Sequence, residues 1–289
     1  MSGLLAAPLA VLVIAALAIS PRLAALRPAS ATRHGSALLV AVVAPAVPTL
    51  WLLGLGGLAR IGVKVPAFDW CRHLLPHDHR TGTIIGIAAL GWASISTARI
   101  VRLISAHRRM RVVGQSRFYV VDSDDLFAYA LPGPGGAVVV SSGLRSSLTD
   151  DEFDLVLAHE EAHVRQRHDR HLLLALVARA VIPPIAPVSR GVEHHVERWA
   201  DEEAIRRTGI SRLVAARTVA KVALASSAPR PALAFGDTGT GARAEALLAP
   251  PFAPARRRHV EAMVLVGSVV VVAMVQLHRT ASYVVDLLV

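Results

Sequence analysis

The sequence predicts an α-helical integral membrane protein with a mainly α (α+β) domain inserted between its third and fourth transmembrane helices. Three observations carry this prediction. Of the 289 residues, 53% are hydrophobic, and the mean hydropathy of +0.48 exceeds what a water-soluble domain ordinarily sustains. Four apolar runs, about 4–20, 36–59, 83–104 and 260–278, approach or reach the roughly 20 residues that span a bilayer. Between the third and fourth runs lies a long stretch whose coarse pattern mixes short strands with helices. The chain thus divides into 1–104 with three membrane helices, 105–258 as the inserted domain, and 259–289 with the fourth helix and a short tail.

The first run ends in Ala16-Leu17-Ala18, which is compatible with a cleaved signal peptide. No Lys or Arg precedes it, whereas Arg22, Arg27 and Arg33 follow, the reverse of a signal peptide. A retained helix with its N-terminus outside is favoured. The basic residues of loop 60–80 decide little. Arg99, Arg102, Arg108, Arg109 and Arg111 follow the third run, and Arg256, Arg257 and Arg258 precede the fourth. By the positive-inside rule both ends of 105–258 are cytoplasmic, in a multi-pass protein of the cell membrane. The net charge of +10 is explained by these flanks, and with aromatics at 4% no nucleic-acid partner is expected.

Cys71 is the single cysteine, which excludes an internal disulfide framework and a thiolate zinc cluster. It lies near His73, His77, Asp78 and His79, but 71–79 matches no defined zinc spacing, and an ordinary interfacial loop is favoured over a metal-sensing one. A fifth apolar stretch, 172–188, contains Arg179 and is broken by Pro183, Pro184 and Pro187. It is read as an interfacial or re-entrant hairpin, or as core, because a further crossing would separate the residues discussed next.

Within the inserted domain, 117–121 and 137–140 read as strands, the second entered through the Pro-Gly turn 132–136. Thr149 and Glu152 form a capping-box pattern that opens a helix to about residue 170. Further helices are expected at about 192–207, stopping at Gly209, and at about 211–226. Residues 228–258 look loosely ordered, with one short helix from Arg243 to Leu248.

His159-Glu160-Glu161-Ala162-His163 reads His-Glu-x-x-His, and a helix places its two histidines on one face, where both bind one zinc ion. Glu160 beside them is the candidate general base. Glu197 supplies a third ligand, and Asp201, one turn later, is placed to accept a hydrogen bond from a ligand histidine. Two histidines and a carboxylate leave an open position for water, the signature of a hydrolytic zinc site. Phe153, Val156 and Leu157 give this helix an apolar face for packing on a strand. Glu161 and His168 are expected to face solvent. His194 and His195 are read as exposed, in preference to donating to an oxyanion. Strand 137–140 is expected to offer a free edge to an extended peptide, which requires it to lie at the margin of its sheet.

Ala130-Leu131-Pro132, Val138 through Leu144, His159 through Arg167, and Glu197 through Asp201 with Ala204 resemble the membrane-embedded gluzincin peptidases. Two relatives fit: the antirepressor peptidases of the beta-lactam-sensor type, whose helix arrangement is similar, and more distantly the HtpX-like or CAAX-prenyl endopeptidases. The resemblance implies a gluzincin-type zinc peptidase domain in which His159, His163 and Glu197 bind one Zn2+ per chain, Glu160 is the base and Asp201 orients His159. Relatives often carry Asp five residues after the second histidine, where this chain has His168, and HtpX-like members usually carry Asn where it has Phe127. The sequence reaches Val289 directly after the fourth run, so no penicillin-binding sensor is expected.

The implied function is an integral-membrane zinc endopeptidase acting on a protein or peptide, either a transcriptional repressor or a misfolded membrane protein. The alternative is a non-catalytic membrane signalling protein with a structural zinc, which needs ligands but no base.

Overall fold

A computed structural model describes residues 3–63, 79–111, 118–225, 239–250 and 256–285. The apolar runs all become helices: α1 (Gly3–Leu23), α2 (Pro28–Arg60), α3 (His79–Arg109) and, at the end of the chain, α10 (Arg256–Val285). Three of these are long and apolar enough to cross a membrane, over 28–60, 80–109 and 256–282, while Ala7–Leu23 forms a shorter apolar helix. Pro28 suits the first turn of α2, where its missing N–H leaves no bond unmade. Glycines let α2 and α3 touch: a methyl group on Gly57 would come within 2.7 Å of the Gly86 backbone. The loop 71–78 lies outside the described residues.

A three-stranded sheet follows, made of β1 (Phe118–Val121), β2 (Ala128–Leu131) and β3 (Ala137–Ser141) in the order β1-β3-β2. β1 runs parallel to β3 with Phe118 opposite Val138, and β2 runs antiparallel with Ala128 opposite Val140. The expected marginal position of strand 137–140 is therefore corrected: β3 is central and buried along its whole length. The sequence reading missed β2, whose four residues sit between the Phe127 corner and the Pro-Gly turn.

Ser141 caps the short helix α4 (Ser142–Ser147) by accepting from the Leu144 N–H at 3.1 Å. Thr149 and Glu152 form both bonds of the capping box, at 3.3 and 3.0 Å, and open α5 (Asp150–Arg165). Phe153 then packs with Val138, Val140, Leu144 and Leu148, joined by Val156 and Leu157, as the apolar face predicts.

α5 does not continue to residue 170. Arg167 takes a left-handed conformation, φ 54°, and starts a separate helix, α6 (His168–Val181). Such a conformation costs a non-glycine residue about 1 kcal/mol. A 3-10 turn at Pro183–Ile185 reverses the chain into α7 (Ala186–Thr208), which begins earlier than the expected 192 and stops at Gly209 with φ 72°. The stretch 172–188 is thus a helical hairpin, and its Ala175, Ala178, Ile185 and Val188 join Leu38, Leu39, Val42 and residues of α1 and α10 in one buried apolar cluster.

Two further helices, α8 (Arg212–Ala225) and α9 (Thr240–Leu248), complete the domain. They close on α5 and α7 through a smaller cluster of Leu155, Ala158, Ala204, Ala215, Ala216 and Leu247.

Candidate metal centre

The His-Glu-x-x-His turn of α5 faces the middle of α7 across a cleft of about 510 Å3. Four-residue spacing puts His159 and His163 on that face, with their Nε2 atoms 3.1 Å apart. From α7, Glu197 brings Oε2 to 3.6 Å from His159 Nε2 and Oε1 to 3.7 Å from His163 Nε2. One ligand atom from each of the three residues can be chosen so that all lie within 4.8 Å of one another, the grouping a metal ion requires. Tetrahedral zinc with bonds near 2.0–2.1 Å needs ligand separations of about 3.4 Å, which these distances bracket. The donor set therefore fits the ion in chemistry and in size.

The two imidazoles are held differently behind the site. His159 Nδ1 lies 3.0 Å from Asp201 Oδ1, one turn after Glu197 on α7. His163 Nδ1 lies 3.1 Å from Nδ1 of His168, the first residue of α6. His168 is fully buried, with its ring 4.8 Å from those of His163 and Trp199, so the expectation of a solvent-facing side chain is corrected. The break at Arg167 is the cause: it turns the chain so that His168 points back under the site instead of outward. Glu161 is partly exposed and ion-paired with Arg207.

Arg243 of α9 was not singled out for the site by sequence reasoning. It donates through Nε and Nη2 to both oxygens of Asp201, at 2.9 and 2.6 Å, and its Nη1 lies 3.0 Å from Glu197 Oε2. Only the short helix starting in a Pro- and Gly-rich segment was legible, and nothing local links it to α7.

Charge is distributed accordingly. Burial would depress the basicity of His159, but hydrogen bonds to Asp201 and Glu197 override it and push the ring up to about 10. Burial lowers His163 and takes His168 down to about 2. For Glu197 burial acts upward, yet the electrostatic interaction with His163, the His159 hydrogen bond and Arg243 bring it down to about 2. Asp201 is likewise held below the usual carboxylate range, with Arg243 the strongest of its lowering partners.

Glu160 lines the cleft next to His159. The opposite walls are the β2 strand and the α8 residues Thr218, Val219 and Val222, while His107 and Met110 at the end of α3 extend the lining toward the membrane helices. His107 Nε2 lies 3.3 Å from Asp169 of α6. His194 and His195 are absent from the lining, and His195 is buried rather than exposed.

Residues 97–227 match the profile of Peptidase family M48. The Protease HtpX homolog of Nitrosomonas eutropha (strain DSM 101675 / C91 / Nm57) is 30% identical over 126 residues, which cover 42% of this chain and 40% of that protein. The chain thus matches less than half the length of that relative. No solved structure matches it. The match over 97–227 contains both the His-Glu-x-x-His turn and Glu197, so this region is similar to a peptidase family M48 domain and supports a metallopeptidase, carried here together with helices able to cross a membrane.

Proposed function

We propose that this protein is an integral-membrane zinc-dependent endopeptidase in which His159, His163 and Glu197 bind one Zn2+ and Glu160 is the catalytic base. The observation that carries the reading is the convergence of two imidazole nitrogens and a carboxylate at tetrahedral spacing on the wall of an open cleft. Bound zinc supplies Lewis-acid chemistry, polarising a carbonyl and acidifying a water. The Glu160 carboxylate takes a proton from the attacking water and returns it to the leaving amine. Asp201 accepts from His159 Nδ1 and leaves Nε2 free as a donor atom, and Arg243 fixes the orientation of Asp201.

With β3 central, the free edge available to substrate is that of β2, whose Ala128–Leu131 line the cleft. An extended peptide added there through main-chain hydrogen bonds lies across the metal site. Because the end of α3 contributes to the same lining, the substrate that fits is a protein segment close to the membrane surface. This favours quality control of membrane proteins over cleavage of a soluble repressor. The arginines flanking 105–258 support a cytoplasmic site. A scaffold with a structural zinc would have no use for Glu160 in the cleft.

The test is zinc content and proteolysis of the purified protein in detergent, wild type against Glu160→Gln. Both should hold about one zinc per chain, and the variant should lose cleavage of a membrane-protein substrate by a factor of about 100 to 10,000. Equal cleavage by both would remove the base from the mechanism. Zinc without cleavage by either would favour the scaffold, and no zinc in either would refute the site.

A further inference from the structure

On the side of the site away from Asp201, and resting on the metal-site reading proposed above, the second ligand histidine has a partner of its own. For His163 to present Nε2 toward His159 and Glu197 as a lone-pair donor, its ring proton must sit on Nδ1. The Nδ1 of His168 faces that position at 3.1 Å, and two imidazole nitrogens at that distance share a single proton. His168 must then accept, and its own proton sits on Nε2, which is buried and has no hydrogen-bond partner among the described residues. Leaving a buried donor unpaired is unfavourable, a cost that an apolar ring serving only as packing would not carry.

The ring of His168 is also held in place. Trp199 of α7 packs against it, the Arg33 guanidinium from α2 lies 5.1 Å over the indole, and His171 Nδ1 is 2.7 Å from Ser36 Oγ of α2. A helix able to cross the membrane thus backs the residue that touches His163.

We propose that His168 is a positioning residue whose Nδ1 accepts the Nδ1–H of His163 and so fixes the tautomer and orientation of that metal ligand. The two ligand histidines then have unlike supports, a carboxylate behind His159 and a neutral imidazole behind His163.

The experiment measures zinc dissociation constants of the full-length protein in detergent by competition with a chromophoric chelator. His168→Asn places an amide oxygen near the position of Nδ1 and retains an acceptor. His168→Leu removes the acceptor, and His168→Phe removes it while keeping a ring in the space beside Trp199. Loss of such a partner typically weakens metal binding about 10–100-fold, which is the expectation for the Leu and Phe variants, whereas Asn should stay within about threefold of wild type. Wild-type affinity in the Leu or Phe variant would overturn the proposal. Equal weakening in Asn, Leu and Phe would also overturn it, because the ring would then matter for packing and not as an acceptor. A wild-type protein that takes up no zinc would instead overturn the metal-site reading, and this proposal with it.

Discussion

The α6–α7 hairpin and the α8–α9 pair approach the same cleft from different sides and are secured by different forces. The hairpin is sunk into the apolar cluster of α1, α2 and α10, with Ala175, Ala178, Ile185, Val188, Val192 and Val196 buried. Glu193, buried within the hairpin, is ion-paired at 2.8 Å with Arg179 across it. The α8–α9 pair buries few large apolar side chains and depends on arginines instead. Arg212 forms a bidentate pair with Glu202 and donates to the Leu247 and Ala246 carbonyls at the end of α9, and Arg243 reaches Asp201 and Glu197. The lesson is a division of labour. The hairpin is built to keep Glu197 and His168 in fixed places relative to the membrane helices, whereas α9 is fastened by part-buried polar contacts.

The sharpest way to break this contrast is Glu193→Ala, which strands Arg179 against the apolar cluster. Removing one member of a buried pair costs about 3 kcal/mol, or roughly 6–12 °C in thermal midpoint for a chain of this size. Differential scanning fluorimetry in detergent would read it, and a drop below about 2 °C would show the pair to be incidental.

Arg243→Ala should act locally. Loss of its charge-assisted bonds, worth about 1.5–3 kcal/mol, should speed amide exchange in 240–248 by about 10–100-fold while exchange in 186–200 stays unchanged. Hydrogen exchange with mass spectrometry would show it, and matching acceleration in α7 would mean that the two sides unfold together.

In the metal-free chain His159, raised from 6.5 to about 10, contributes stability that is complete below about pH 6.5 and is lost as pH rises through about 10. Zinc must displace that proton, so its apparent affinity should climb about tenfold per pH unit between 7 and 9. A flat titration would mean that His159 is already neutral.

The smallest effect is expected for Lys221→Ala, which removes an exposed contact at 2.7 Å between α8 and Glu152 of α5. Such pairs contribute under about 1 kcal/mol. A larger shift in thermal midpoint would give α8 a stronger electrostatic attachment than its exposure implies.

Features that depend on neighbours along the chain were readable before folding. The Thr149–Glu152 box needs only residues three apart, and the four-residue spacing of His159 and His163 guarantees a shared helix face. Length and hydropathy marked the apolar helices in the same way. His168 was misread because a charge-rich helix end ordinarily faces water, and the left-handed Arg167 that redirects it leaves no pattern in the residue types. β3 was misplaced because the short β2 strand lay hidden beside a Pro-Gly turn.

By itself, then, the sequence determined the apolar helices, the His-Glu-x-x-His face and the carboxylates available on a second helix, since all of these follow from short-range periodicity. The tertiary structure alone decided that β2 is the edge facing the cleft, that Arg243 reaches Asp201 from 42 residues away, and that His168 stands behind His163. Those contacts join segments with no local spacing in common, and they form only when burial of the apolar clusters brings α5, α6, α7 and α9 together.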